Sequence, residues 1–368
     1  MTSSSNNTSL FQTPVRPDWE GFLKCVTRSG MPERVHHIEL FIDPEVQDAV
    51  CARFGLEEGL DRTDPHFALR RQVRLHEFLG YDFVRCGPEG MDMPMNRLVT
   101  GDTAGALARG GGRSYLDEHR GPVTTWEEFE AYPWPDVEKM TTRSLEWCEE
   151  NLPEGMCVVG GSGFAHFAEH LTWLMGYTTF CEALFERRDL IRALYDRILE
   201  MNLRAATLMT QFSCVKALWG SDDMGFRGGP LMSPDDLREF VLPGHKALAD
   251  IAHAAGRPYL LHSCGNLACI RDDLVDGVGI DAKHSFEDTI EPVTEAKKTW
   301  GQRVALLGGI DVDFLCRADA AAVRRRVRDT LDVCLEGGGY CLGTGNSVAN
   351  YIPLDNYLAM LDEGRSYS

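Results

Sequence analysis

Tyr259-Leu260-Leu261-His262-Ser263-Cys264-Gly265 is a short apolar run that passes directly into a His-x-Cys-Gly turn. A continuous apolar run of this length suits a strand covered on both faces, as in a parallel sheet flanked by helices. The same pattern repeats in both directions along the chain. Candidate strands cover residues 35–42, 83–86, 156–160, 215–219, 259–262, 280–284, 304–307 and 339–342.

Helical patterns lie between them. Thr179 to Met209 carries apolar residues at helical spacing, and Arg324 to Glu336 supplies the helix before the last strand. Ser233-Pro234-Asp235-Asp236 opens a helix with an N-cap, a first-turn proline and acids at the positive end. Thr125-Trp126-Glu127-Glu128 is a capping-box pattern. Strands alternating with helices mark parallel βαβ units. Eight such strands predict the α/β class and a closed (β/α)8 TIM barrel. The stretch 97–137, with Gly110-Gly111-Gly112 and Tyr132-Pro133-Trp134-Pro135, fits no strand–helix unit. It reads as an excursion inserted between strands 2 and 3 that decorates one barrel mouth. Residues 1–15 read as a disordered lead, and 16–368 as one barrel domain.

The 37 basic and 56 acidic residues leave a net charge of −19, which repels phosphate backbones and anionic lipid heads. Neither nucleic acid nor membrane is an expected partner. The Ser/Asn/Thr-rich start lacks the basic and apolar regions of a signal peptide, and no stretch is long and apolar enough to span a membrane. Twelve scattered cysteines form no disulfide framework. The expected compartment is the reducing cytoplasm, where thiols stay free for metal or catalysis.

In a barrel, reactive groups gather at the C-terminal ends of the strands. Residues i and i+2 leaving a strand point to the same side, so His262 and Cys264 could share one ion. Cys341, in the eighth candidate strand, could face Cys264 across the mouth. Three such ligands leave a fourth tetrahedral position open, as in catalytic zinc sites. The plainer alternative makes His262 a strand cap and both cysteines packing residues. Cys269 is a competing ligand.

Asp222 and Asp223 follow the fourth strand and Asp311 the seventh, so each could serve catalysis or merely cap a turn. Glu39, His284, Glu287 and Asn346 are candidate substrate-binding residues, with Glu39 also a candidate displaceable metal ligand. Of the adjacent His36 and His37, only one can face the barrel interior. His166 and His170, at i and i+4, have a metal-capable spacing in the wrong fold context. The glycine-rich turns at 160–163 and 343–345 match no phosphate-binding fingerprint and read as close backbone approach.

Leu261-His262-Ser263-Cys264-Gly265-Asn266 resembles a motif of the uroporphyrinogen decarboxylase superfamily, more specifically of its cobamide-dependent methyltransferase branch. Asp222-Asp223-Met224-Gly225, Ser233-Pro234 and Leu307-Gly308-Gly309-Ile310-Asp311 extend the likeness over most of 219–352. Methyltransferases of that branch hold zinc through a His-x-Cys pair and a distant cysteine, positions carried over to His262, Cys264 and Cys341. The departures concern the decarboxylases. Their arginine-rich segment is replaced by Arg34-Val35-His36-His37-Ile38-Glu39-Leu40, and their Leu-Gly-His-Gly turn by Leu342-Gly343-Thr344-Gly345. A substrate with many carboxylates would miss both.

The resemblance implies zinc-dependent methyl transfer between a corrinoid and a small-molecule donor or acceptor. The chain shows no Asp-x-His-x-x-Gly signature, so the corrinoid (methylcobalamin) is expected on a separate corrinoid protein or free. A homodimer fits the same picture. Two other functions suit this fold: a metal-independent decarboxylase or lyase, and a non-catalytic corrinoid- or tetrapyrrole-binding protein.

Overall fold

The computed structural model describes residues 11–109, 111–161 and 163–367. Its strands, in chain order, are β1 (Phe83–Cys86), β2 (Arg97–Thr100), β3 (Arg113–Leu116), β4 (Cys157–Gly160), β5 (Val215–Ser221), β6 (Gly225–Phe226), β7 (Gly229–Pro230), β8 (Tyr259–His262), β9 (Ala282–His284), β10 (Ala305–Leu307) and β11 (Tyr340–Cys341). Seven of them form one all-parallel sheet in the order β1-β4-β5-β8-β9-β10-β11. Val158, Val159, Leu218, Leu260, Leu261 and Leu306 are fully buried within it, as strands covered on both faces require.

The eighth position belongs to residues 35–42, which form two parallel bridges rather than a regular strand. His37 pairs with Leu342 and Ile42 with Val348. Ile38 N donates to Leu342 O at 2.9 Å, and Leu342 N to His36 O at 2.8 Å. A Cβ on Gly343 would stand 1.9 Å from Ile38 O, so glycine permits this approach. Toward β1 the contact passes through side chains: Arg34 and His36 both bond Asp82, the residue before that strand. The result is a (β/α)8 barrel with seven regular strands and one held by bridges and an ion-paired aspartate.

The helix Trp19–Val26 lies across the N-terminal end of the barrel. Trp19 N donates to Gly155 O at 2.9 Å, and Lys216 Nζ sits 4.2 Å from the Trp19 ring centroid. Gly155 precedes β4 and Lys216 opens β5, so this helix forms the barrel floor. The opposite mouth carries the expected excursion, whose β2–β3 hairpin is antiparallel. Arg113 pins the hairpin to the mouth through Asn350 (2.9 Å) and Asp43 (3.3 Å).

The helix signals operate as their chemistry dictates. Ser233 Oγ accepts from Asp236 N at 3.1 Å, and Thr125 Oγ1 from Glu128 N at 3.2 Å. Glu128 does not close the expected reciprocal box; its carboxylate takes Thr124 N and Oγ1 instead, each at 2.7 Å. The helical run from Thr179 to Met209 divides into Tyr177–Glu186 and Arg188–Met209, broken at Arg187.

Of the lead expected through residue 15, residues 1–10 lie outside the described residues. Phe11 is buried, with its ring 5.3 Å from that of Phe78, and Gln12 N donates to Asp362 Oδ1 at 2.8 Å. The packed chain thus begins before residue 15. Among the described residues, no helix is long and apolar enough to cross a membrane.

Candidate metal centre at the barrel mouth

β8 ends at His262, and the chain turns immediately so that Cys264 points back toward the same ring. His262 Nε2 lies 3.4 Å from Cys264 Sγ and 3.3 Å from Asp223 Oδ1. One ligand-type atom from each of Asp223, His262 and Cys264 falls within 4.8 Å of the others. Asp223 arrives from the neighbouring strand: Ser221, the last residue of β5, is in register with His262. Its Oδ1 also accepts from Cys264 N at 3.0 Å, which joins the two loops.

Burial and mutual contact set the protonation of this trio. Burial pushes the Cys264 thiol up, and the Asp223 carboxylate pushes it further. Yet the sulfur faces donors, Asn346 Nδ2 at 3.0 Å and Ser285 Oγ at 3.6 Å, which favour a thiolate. Burial alone would raise Asp223, but His262 and Cys264 N outweigh it and bring its pKa to about 2. Burial lowers His262 against the opposing pull of Asp223. A neutral imidazole, a carboxylate and a thiol that ionises only beside a positive charge make a donor set suited to zinc.

Behind the trio, His284 Nδ1 stands 2.7 Å from His262 Nδ1. Lys283 was not singled out from the sequence, though a lysine within a buried strand is a visible anomaly. Its Nζ donates to Ser263 O (3.0 Å), His284 O (2.8 Å) and Ser285 O (2.8 Å). All three ammonium protons are thereby used, which locks the Cys264 loop to the end of β9. Burial lowers Lys283 to about 8. The loop it clamps holds Ser285 at φ 84°, a left-handed backbone that costs a non-glycine residue of order 1–3 kcal/mol.

Several sequence expectations change. Cys341 is not at the mouth. Its buried thiol bonds that of Cys25, on the floor helix. The reason is barrel stagger. Cys341 shares a hydrogen-bonded row with His262 through His284 and Leu307, but strand tilt shifts such a row by about one residue per strand in a barrel of shear 8. Over the three steps from β8 to β11, that shift carries the row down to the floor and puts Thr344 at the level of His262. Thr344 O and His284 Nε2 accordingly flank Gly308 together. The third ligand-type atom beside those of His262 and Cys264 belongs to Asp223 instead.

Asp222 is committed to structure. Its oxygens accept Ala168 N and Glu169 N, each at 2.9 Å, in the first turn of the helix Phe167–Met175, and Oδ2 also meets His245 Nε2 at 2.9 Å. Asp311 likewise caps the helix Val312–Arg317 through Phe314 N (3.0 Å) and takes Asp288 N (2.9 Å). Asp222 is fully buried on these bonds, whereas Asp311 also lines a cavity of ≈ 320 Å³. Cys269 is exposed and outside the trio.

Glu39 is buried and bonded to Thr344 N (2.8 Å) and Thr344 Oγ1. Burial raises its pKa to about 8, so it is largely protonated at neutral pH. It lines a cavity of ≈ 400 Å³ at the mouth, together with Arg85, His166 and Ser221. Glu287 and Asn346 line a second, smaller one of ≈ 320 Å³ beside Asp311. His36 is tied to Asp82, and His37 is buried beside Leu361. His166 Nδ1 pairs with Glu169 Oε2 at 2.5 Å, and the buried ring of His170 lies 5.4 Å from that of His166, its Nδ1 without a partner among the described residues.

The profile of the uroporphyrinogen decarboxylase (URO-D) family matches residues 118–367. The chain is 30% identical over 131 residues to the methylcobamide:CoM methyltransferase MtaA of Methanosarcina barkeri, covering 36% of each protein. It is 33% identical over 130 residues to a methylated-thiol–coenzyme M methyltransferase of Methanosarcina mazei, covering 35% of this chain and 32% of that one. The aligned segment thus spans about a third of the length of these curated relatives. A solved methyltransferase from Methanosarcina mazei superposes with a TM-score of 0.65 at 20% identity, over 94% of this chain and 97% of the other, and shows the same fold. With the family profile covering most of the barrel, this chain belongs to the uroporphyrinogen decarboxylase family.

Proposed function

We propose that this protein is a zinc-dependent methyltransferase that moves a methyl group between a corrinoid, carried by a partner protein or free, and a small molecule. The observation that carries the reading is the convergence of Asp223, His262 and Cys264 at the ends of two adjacent strands. The names of the curated relatives support corrinoid-linked methyl transfer to a thiol. Zinc held by these residues would supply a Lewis acid to the heteroatom that gains or loses the methyl group.

The chain's own residues have separable tasks. His262, Cys264 and Asp223 present the three donors, and Asn346 and Ser285 steady the sulfur through their hydrogen bonds. His284 orients the His262 ring, and Lys283 holds the loop. His166 stands on the wall of the adjoining cavity with Nδ1 on Glu169, leaving Nε2 to take a proton from a thiol. Burial disfavours a charge on His166, but Glu169 outweighs it and lifts its pKa. The ≈ 400 Å³ cavity suits a small substrate, so the corrinoid macrocycle would dock over the mouth from outside.

The test is metal content and turnover on the same preparations. Wild type should carry about one zinc per chain and demethylate methylcobalamin in the presence of a thiol, and Cys264→Ala should lose both. Wild type that stays metal-free after zinc reconstitution would overturn the reading.

A further inference from the structure

Among the described residues, three non-glycine positions have a left-handed backbone, and Ala165, at φ 64°, is one of them. It stands between β4 and the helix Phe167–Met175, immediately before His166. The Cβ of an L-residue resists this conformation, and such strain persists only where the surroundings hold it in place.

What holds Ala165 is Asn202. Its Oδ1 accepts from Ala165 N at 2.7 Å, and its Nδ2 donates to Ile198 O at 2.8 Å, one turn back along its own helix. Asn202 is fully buried inside the helix Arg188–Met209, whose other buried residues there include Ile198, Met201, Ala205 and Ala206. Asparagine is a poor helix former, and a buried amide is costly unless both of its ends are bonded. Neither the helix nor its packing calls for an amide at this point. The loop does.

That loop carries His166. Beyond it, Asp222 accepts Ala168 N and Glu169 N, each at 2.9 Å. His166 thus lies between two anchors, with Nδ1 on Glu169 and its side chain on the wall of the ≈ 400 Å³ cavity. β5 backs the turn closely: a Cβ on Gly220 would stand 3.0 Å from that of Ala165. A change of φ at Ala165 would redirect the residue that follows it. We infer that Asn202 is the positioning residue for His166: from a helix of the outer layer it holds Ala165 in the left-handed turn that aims the imidazole into the cavity. What His166 does there rests on the methyl-transfer reading; how it is held does not.

The experiment follows imidazole N–H protons by NMR on histidine-labelled protein, after a chelator has removed metal and with no corrinoid present. Failure of the zinc or methyl-transfer reading therefore leaves it intact. An Nδ1–H shared with a carboxylate is a strong, charge-assisted bond that resonates downfield and exchanges slowly. His166→Gln assigns the signal, and His36, bonded to Asp82 through Nδ1 at 2.7 Å, supplies a control. Asn202→Leu should abolish the His166 signal or speed its exchange with water about tenfold or more, with the His36 signal unchanged. Adding Ala165→Gly to that variant should restore it, because glycine takes a left-handed backbone without strain. Ala165→Val approaches the contact from the other end and should lose the signal with Asn202 intact, so the inference stays testable even where Asn202→Leu does not fold. An undisturbed His166 signal in either folded variant would overturn the inference. Loss of the His36 signal alongside would do the same, since it marks general loosening, as would absence of the His166 signal in wild type or failure of Ala165→Gly to rescue it.

Discussion

His262 Nδ1 and His284 Nδ1 stand 2.7 Å apart, so one ring must donate and the other accept. For His262 to offer a lone pair at Nε2 to a cation, its proton must sit on Nδ1 and be donated to His284. His284 then keeps its own proton on Nε2, an atom with no hydrogen-bond partner among the described residues. Without a cation, the reverse tautomer lets His262 Nε2–H point at Asp223 Oδ1, 3.3 Å away. The second histidine therefore has an energetic stake in whether the first holds metal.

Replacing His284 with leucine removes that acceptor, and zinc affinity should fall about 10–100-fold. His284→Gln, whose side-chain oxygen can accept the same bond, should keep most of it. Chelator competition measures both; equal affinity in wild type and His284→Leu would show that the ring is oriented by something else.

Cys341→Ala should leave zinc content untouched while lowering stability by about 1–2 kcal/mol, the scale of a small cavity in a packed floor. Urea denaturation and metal analysis separate the two effects. Loss of zinc on this substitution would contradict the placement of Cys341 against Cys25.

Asp222→Ala should unfold the protein more readily by about 2–4 kcal/mol, since it strips a helix of its cap and leaves a buried partner unpaired. The partners are Ala168 N, Glu169 N and His245 Nε2. Any enzyme that remains folded should keep its zinc. A fall in turnover at unchanged stability would instead mark Asp222 as a reacting group.

Glu39 carries a pH signature. Its folded pKa of about 8 exceeds the ordinary value of 4.5 because burial disfavours its charge. The folded state therefore holds a proton that the unfolded state releases as pH rises through 4.5. The stabilisation is complete below that value and is lost progressively up to about pH 8, with an upper bound on the order of 4–5 kcal/mol. Glu39→Gln should flatten this decline, most visibly when urea midpoints at pH 5.5 and pH 8 are compared, with ~0.5 pH unit as useful resolution. An identical slope in both proteins would remove Glu39 as its source.

Much of the fold is legible in local pattern. Seven of the candidate strands coincide with sheet strands to within one or two residues at either end, because continuous apolar runs leave little choice of partner. Residues 35–42 are the exception: Arg34, His36 and Glu39 put polar side chains where a regular strand would be apolar, and those groups find Asp82 and Thr344 instead. Caps at Ser233 and Thr125 are local chemistry and were readable as such.

The pairing of His262 with Cys264 was determined by sequence alone, since two residues apart at a strand end share a side whatever the rest of the chain does. The third donor was not. The sequence offered Cys341, with Cys269 and Glu39 as other candidates, and Asp223 only as a catalytic or capping residue; strand order and barrel stagger decide which residue stands level with His262. Adjacency of β5 and β8 delivers Asp223, and the accumulated tilt from β8 to β11 sends Cys341 to the floor. Asn202 was equally invisible, because the backbone N–H that a buried amide meets depends on the neighbours the fold brings to it. Side-chain direction is a property of two residues; height in a barrel and the partner of a buried amide are properties of the closed whole.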